Sequence, residues 1–134
     1  MSASLATRRA CLLAERDMLD AGGGGALHLY GGTMEPNPET AASSAPLVIV
    51  ALPVPAFQLH PTAAQMTLSA QGNAALAGQV TWARFVDGEG NPVRDCTAGP
   101  PGSGAQVIVT DGKTPPSALV YTGGEVTVTV TFVY

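Results

Sequence analysis

The feature that most constrains this chain is the stretch 125–134, which reads EVTVTVTFVY. Val126, Val128, Val130, Phe132 and Tyr134 share one parity, and Thr127, Thr129, Thr131 and Val133 share the other. Successive side chains on a strand point to opposite faces, so the pattern specifies a half-buried strand with one hydroxyl-lined face. Such a strand needs partners on its edges and a core on its apolar side. The rest of the chain must therefore supply a sheet.

Runs that can supply it recur along the sequence. Residues 26–30, 65–70, 79–86, 93–96, 106–110 and 118–121 read as short strands separated by Gly, Pro and Asp turns, among them Asp111-Gly112-Lys113. Residues 47–52 form a continuous apolar run, expected to be a strand buried on both faces. Pro53 and Pro55 push its far end to a sheet edge. Residues 31–46 hold prolines at 36, 38 and 46 and read as a polar, extended loop. About seven or eight strands with several long connections suit a β-sandwich or jelly-roll-like domain better than a meander.

One segment follows a different period. In residues 4–20, Leu5, Leu12 and Leu19 recur every seven positions among charged residues, which predicts an amphipathic helix with a narrow apolar seam. Ser4 is its expected N-cap, and Gly22–Gly25 its stop and a flexible joint. The expected organisation is thus a helix and Gly-rich joint over 1–25 and a β-sandwich over 26–134. On such a joint the helix would swing out and lay Leu5, Leu12 and Leu19 on a neighbouring subunit, so these three are the candidate interface residues.

Composition narrows the function. Charged residues are 12% of the chain against 46% hydrophobic, too apolar for a disordered protein. The six basic residues form no stripe and carry no interleaved aromatics, which argues against nucleic acid as a partner. Thr7-Arg8-Arg9 is followed by too short an apolar stretch for a secretion signal, and no run reaches membrane-spanning length. These features predict a protein made and used without crossing a membrane by the standard routes. Two cysteines, Cys11 and Cys96, make no disulfide framework and suit a reducing cytoplasm. Cys11 reads as a packing residue of the helix, and Cys96 as an exposed residue closing a hairpin.

The chemical candidates lie mainly in the stretch QVTWARFVDGEGNPVRDCT over 79–97. Asp87, Glu89 and Asn91 occupy positions 1, 3 and 5 of a calcium-type loop, but Pro92 and Ala98 stand where Gly and a bidentate Glu are needed. The expected role of this stretch is a turn, with Gly88 and Gly90 supplying positive φ. Arg84 shares a face with Trp82 and Val86 and is placed to pair with Asp95 or another opposing carboxylate across the hairpin. Trp82 reads as the core anchor of the sandwich. His28 faces out of its strand and His60 sits in a loop before Pro61; with Cys11 and Cys96 they show no zinc-finger spacing. Gly22–Gly25 lacks the Lys-Ser/Thr of a phosphate loop, and Gly102-Ser103-Gly104 lacks the spacing of a nucleophile elbow. No catalytic, cofactor-binding or metal-ligating set is nominated.

Together these patterns resemble the small virion structural proteins of tailed bacteriophages. The likeness runs through the helix, the strand and turn Leu27-His28-Leu29-Tyr30-Gly31-Gly32-Thr33 with its following prolines, and the final Thr/Val strand. Its most specific part is Gly78–Asp95, which holds the hairpin Trp-x-Arg-x-Val-Asp-x-x-Gly-x-x-Val-x-Asp. The resemblance implies a non-enzymatic protein made in the host cytoplasm and placed on the virion, with capsid decoration or cement as the leading role. Its partners would be the major capsid protein and other copies of itself. A minor tail, neck or fibre-associated protein, or a carbohydrate-binding surface module, is the alternative. The Pro/Gly-rich segment 98–104 and the proline-laden loop after Thr33 depart from the family pattern.

Overall fold

The computed structural model describes residues 3–111 and 117–134. Its elements are helix α1 (Leu5–Asp20) and strands β1 (Ala26–Tyr30), β2 (Val48–Ala51), β3 (Gln58–Leu59), β4 (Gln65–Asn73) and β5 (Gly78–Gln79). Strands β6 (Trp82–Val86), β7 (Pro92–Gly99), β8 (Val107–Thr110), β9 (Leu119–Val120) and β10 (Glu125–Val133) follow. The domain is mainly β with one N-terminal helix, a sandwich-like curled sheet as the sequence patterns require. Of the turn expected at 111–113, Gly112 and Lys113 lie outside the described residues. Among the described residues no helix is long and apolar enough to cross a membrane.

Eight strands form one sheet in the order β2-β1-β6-β7-β8-β10-β4-β3, and β5 and β9 form a small second one. Every pairing in the large sheet is antiparallel except β7 with β8. Strand β7 is the joint between two halves. It pairs with β6 from Pro92 to Thr97, then with β8 through Ala98 and Gly99. The sheet curls until its first strand approaches the seventh, where Val48 bridges Ala74. Gly72 permits that approach: a Cβ there would stand 3.1 Å from Val50 Cγ2 and 3.2 Å from the Ile49 carbonyl oxygen. A side chain would hold the two strands apart.

The inside of the curl is the core. Val126, Val128, Val130 and Phe132 of β10 face it, as their parity requires. All three phenylalanines of the chain meet there, with ring centroids 5.1 Å apart for Phe57 and Phe132, 5.6 Å for Phe85 and Phe132, and 5.8 Å for Phe57 and Phe85. Edge-to-face and offset contacts of this kind add to the burial term. Phe57 follows the Pro53–Pro55 segment, whose Val54–Pro55 bond is cis, and it is fully buried although its surroundings read as loop.

Three expectations about burial change. The run 47–52 is not buried on both faces: Ile49 and Ala51 are exposed while Val48 and Val50 are buried. Its strand lies at the sheet margin, so only its inner face meets the core. Tyr134 is 54% exposed because pairing ends at Val133. Cys96 is buried rather than exposed, because the hairpin continues past it to Gly99 and its side chain points inward with Ala83 and Phe85. Burial pushes its thiol up to about 12.

Candidate functional site

Helix α1 carries the three leucines expected to form an interface. Ser4 Oγ accepts from the Thr7 amide at 3.2 Å, the expected N-cap. Leu12 and Leu19 are 2% and 0% exposed and belong to the sheet's own core, whereas Leu5 is 44% exposed. Polar ties hold the helix along its length. Arg9 Nη1 donates to the carbonyls of His60 and Ala63 at 2.7 and 2.8 Å. Arg94 grips Glu15 with Nε and Nη2 at 2.6 and 2.9 Å, its guanidinium 4.5 Å from the Phe132 ring centroid. Asp20 Oδ1 accepts from the Ala56 amide at 2.9 Å.

Gly22–Gly25 is correspondingly no loose joint. Gly88 N donates to the Ala21 carbonyl at 2.8 Å, and a Cβ on Gly25 would collide with the Val86 and Leu19 carbonyls. The glycines let the helix end pass against the 87–91 hairpin at backbone contact distance. The structure brings Leu12 and Leu19 together inside the molecule and leaves Leu5 outside.

The hairpin itself turns a corner. Asp87 Oδ1 accepts from the amides of Glu89 and Asn91, both at 2.9 Å, and Asp87 Oδ2 accepts from Asn91 Nδ2 at 3.3 Å. These bonds hold the Asp87 carboxyl below its ordinary range, the Asn91 amide contributing most. The carboxylate that would lead a calcium loop is thus engaged with its own turn. Among the described residues no three His, Cys, Asp or Glu side chains gather as a metal site. His60 Nδ1 accepts from the Thr62 and Ala63 amides at 3.1 and 2.9 Å, which orders its loop.

Chemistry concentrates instead on the outer face of β2-β1-β6-β7. Register sets the arrangement. His28 lies opposite Ile49 on one side and Arg84 on the other, and Arg84 lies opposite Asp95. Tyr30 lies opposite Trp82, and Trp82 opposite Thr97. Directly opposed residues share a face, so Ile49, His28, Arg84 and Asp95 form one row and Tyr30, Trp82 and Thr97 the next.

The expected pair of Arg84 with Asp95 is present and two-pronged. Nε donates to Oδ1 at 2.7 Å and Nη2 to Oδ2 at 3.0 Å, with both side chains nearly sealed from solvent. The Asp95 hydrogen bonds raise the Arg84 pKa further. Trp82 is buried, but outside the main core. Its ring stacks on Tyr30 at 4.3 Å, its Nε1 donates to the Gly31 carbonyl at 3.2 Å, and the Arg84 guanidinium lies 5.3 Å from it. His28 faces outward as expected, yet is half-buried, its Nδ1 3.4 Å from the Tyr30 hydroxyl. Burial, then the Arg84 charge, lowers its pKa.

What covers this face is the loop 31–46. Arg84 Nη2 reaches the Asn37 carbonyl at 3.5 Å, Asn37 Oδ1 accepts from the Thr40 amide at 3.0 Å, and Glu35 Oε1 from the Ser43 amide at 3.3 Å. Between this strap and the sheet lies a cavity of about 330 Å3, lined by residues that include His28, Tyr30, Pro38, Glu39 and Arg84. Two larger hollows, of about 470 and 450 Å3, present no charged side chain.

The sequence placed Arg84 on one face with Trp82 and opposite Asp95, but it did not bring His28 and Tyr30 to them. The signal was parity: His28 with Tyr30 and Trp82 with Arg84 each sit two residues apart on a strand. The pairing of strands far apart in sequence, which brings them side by side, carried no sequence mark. Comparison with protein-family models, with curated proteins and with solved structures returned no match.

Proposed function

We propose that the chain is a non-enzymatic structural protein of a tailed-phage particle, decorating the outside of the major capsid shell and cementing it by bridging subunits. The observation that carries this reading is the outer face of β8-β10-β4-β3. Register lines up Thr110, Thr127 and Gln71 in one row and Ile108, Thr129 and Ser69 in the next. Thr131, Thr67 and Gln58 make a third. These rows carry no charged side chain. A broad face of hydroxyls and amides suits many weak contacts, which icosahedral repetition multiplies. Several charged side chains, by contrast, tie the fold together: Arg84 to Asp95, Arg94 to Glu15, and Arg9 to the 60–63 loop. The resemblance of the 82–95 hairpin to phage virion proteins agrees with this role.

On this reading the docking surface is the sheet and not the leucine seam, since Leu12 and Leu19 lie inside. A carbohydrate-binding role gains nothing from Trp82, which is 2% exposed and stacked. Quantitative mass spectrometry of purified particles tests the proposal. A copy number equal to, or a simple fraction of, that of the major capsid protein is expected. A handful of copies would shift the chain to the neck or tail, and none would refute a virion role.

A further inference from the structure

The cavity beneath the strap holds a group with unused capacity. Arg84 is 6% exposed, and its Nε and Nη2 are engaged by Asp95 and Asn37. Its Nη1 amino group makes no hydrogen bond to any described residue, is not sealed within protein, and belongs to a side chain that lines the cavity. A guanidinium held at 6% exposure, with two N–H groups that meet no protein acceptor, can take one from a ligand. Glu39 of the strap also lines the cavity. Tyr30, Pro38 and Val86 supply apolar walls.

Charge decides what can enter. Asp95 already neutralises Arg84, and Glu35 and Glu39 add negative charge on the strap, so an anion meets net repulsion. A cation offers the Arg84 Nη1 donors no acceptor. A neutral group that both accepts and donates satisfies Arg84 and Glu39. We infer that this cavity binds a small uncharged amide, its carbonyl oxygen accepting from Arg84 Nη1 and its N–H donating to Glu39. An asparagine or glutamine side chain has this chemistry, as does a free primary amide. A volume of about 330 Å3 is at the small end of ligand pockets and suits such a group. The inference is independent of the capsid reading.

The test is an NMR titration of the 15N-labelled full chain with three isosteric probes: isobutyramide, isobutyrate and isobutylammonium. Saturable shifts of the Arg84 side-chain Nε–H and of amides at residues 28–30 and 38–41 are expected with isobutyramide alone. Glu39→Gln, on the exposed strap, should leave the remaining spectrum intact and weaken isobutyramide about tenfold, the worth of one hydrogen bond to a charged group. No saturable shift with isobutyramide would overturn the inference. So would equal or stronger shifts with isobutyrate, or unchanged isobutyramide affinity in Glu39→Gln.

Discussion

The two halves of the curled sheet share one core but differ on their outer faces. Over β2-β1-β6-β7 that face carries a buried ion pair, an aromatic stack and a half-buried histidine, roofed by the 31–46 strap. Over β8-β10-β4-β3 it carries mainly threonine, serine and glutamine, with Ile108 among them and Glu125 and Val133 at the ends of β10, and Thr67, Ser69, Thr129 and Thr131 are open to solvent. Both halves obey the same alternation. The difference is that Arg84 and Trp82 need hydrogen-bond partners once covered, and the Gly31 and Asn37 carbonyls of the strap supply some of them. Threonine hydroxyls are satisfied by water and require no roof. One half of the outer surface is therefore a second, polar-centred interior, and the other remains a surface.

The largest effect expected lies beneath both faces. Removing residues 1–21 takes Leu12 and Leu19 out of the common core, where each is worth about 2–5 kcal/mol against alanine. The truncated chain should lose cooperative unfolding, seen as a missing urea transition by circular dichroism; a truncation that unfolds like the full chain would show that the helix is an appendage. Next comes the roofed face. Asp95→Asn leaves Arg84 buried without its counter-charge and should cost about 3–5 kcal/mol in urea denaturation. A cost near zero would mean that this face is a surface after all.

The roofed face should also respond to pH. The folded-state pKa of His28 lies below 6.5, so the unfolded chain takes up the proton first as pH falls. The contribution is fully present above pH 6.5 and is lost as pH drops from there toward the folded value. His28→Gln should flatten that part of the stability profile, and an unchanged slope would place the titration elsewhere. The smallest effect belongs to the bare face. Thr129→Lys should change stability by no more than about 0.5 kcal/mol. A larger loss would mean that the hydroxyl rows hold the sheet.

Local pattern made much of this legible. The alternation in β10, the end of β1 at Tyr30, the N-cap at Ser4 and the Asp87 turn all depend on neighbours close in sequence. The Arg84–Asp95 pair was legible because a hairpin places its members opposite each other. What escaped depended on distant chain meeting distant chain. Phe57 gave no strand signal, yet it completes the aromatic core with Phe85 and Phe132. The seam at Leu12 and Leu19 has the same period whether it meets its own sheet or another subunit, so periodicity could not choose between them. Gly22–Gly25 resembled a hinge because glycine permits both freedom and close approach, and only the Val86 carbonyl beside Gly25 tells which applies.

The position of β10 has a consequence for how the molecule comes into being. It lies between β8 and β4, and it follows both in sequence. While the chain emerges from the ribosome, β1, β2, β6 and β7 can associate as soon as residue 99 is free. Strand β4 must wait with two-residue β3 as its ladder partner and β2 beside its far end, the long edge that β10 takes still unclaimed. Any stall before residue 125 leaves that edge available to a neighbouring chain, so this half of the protein depends on prompt delivery of β10.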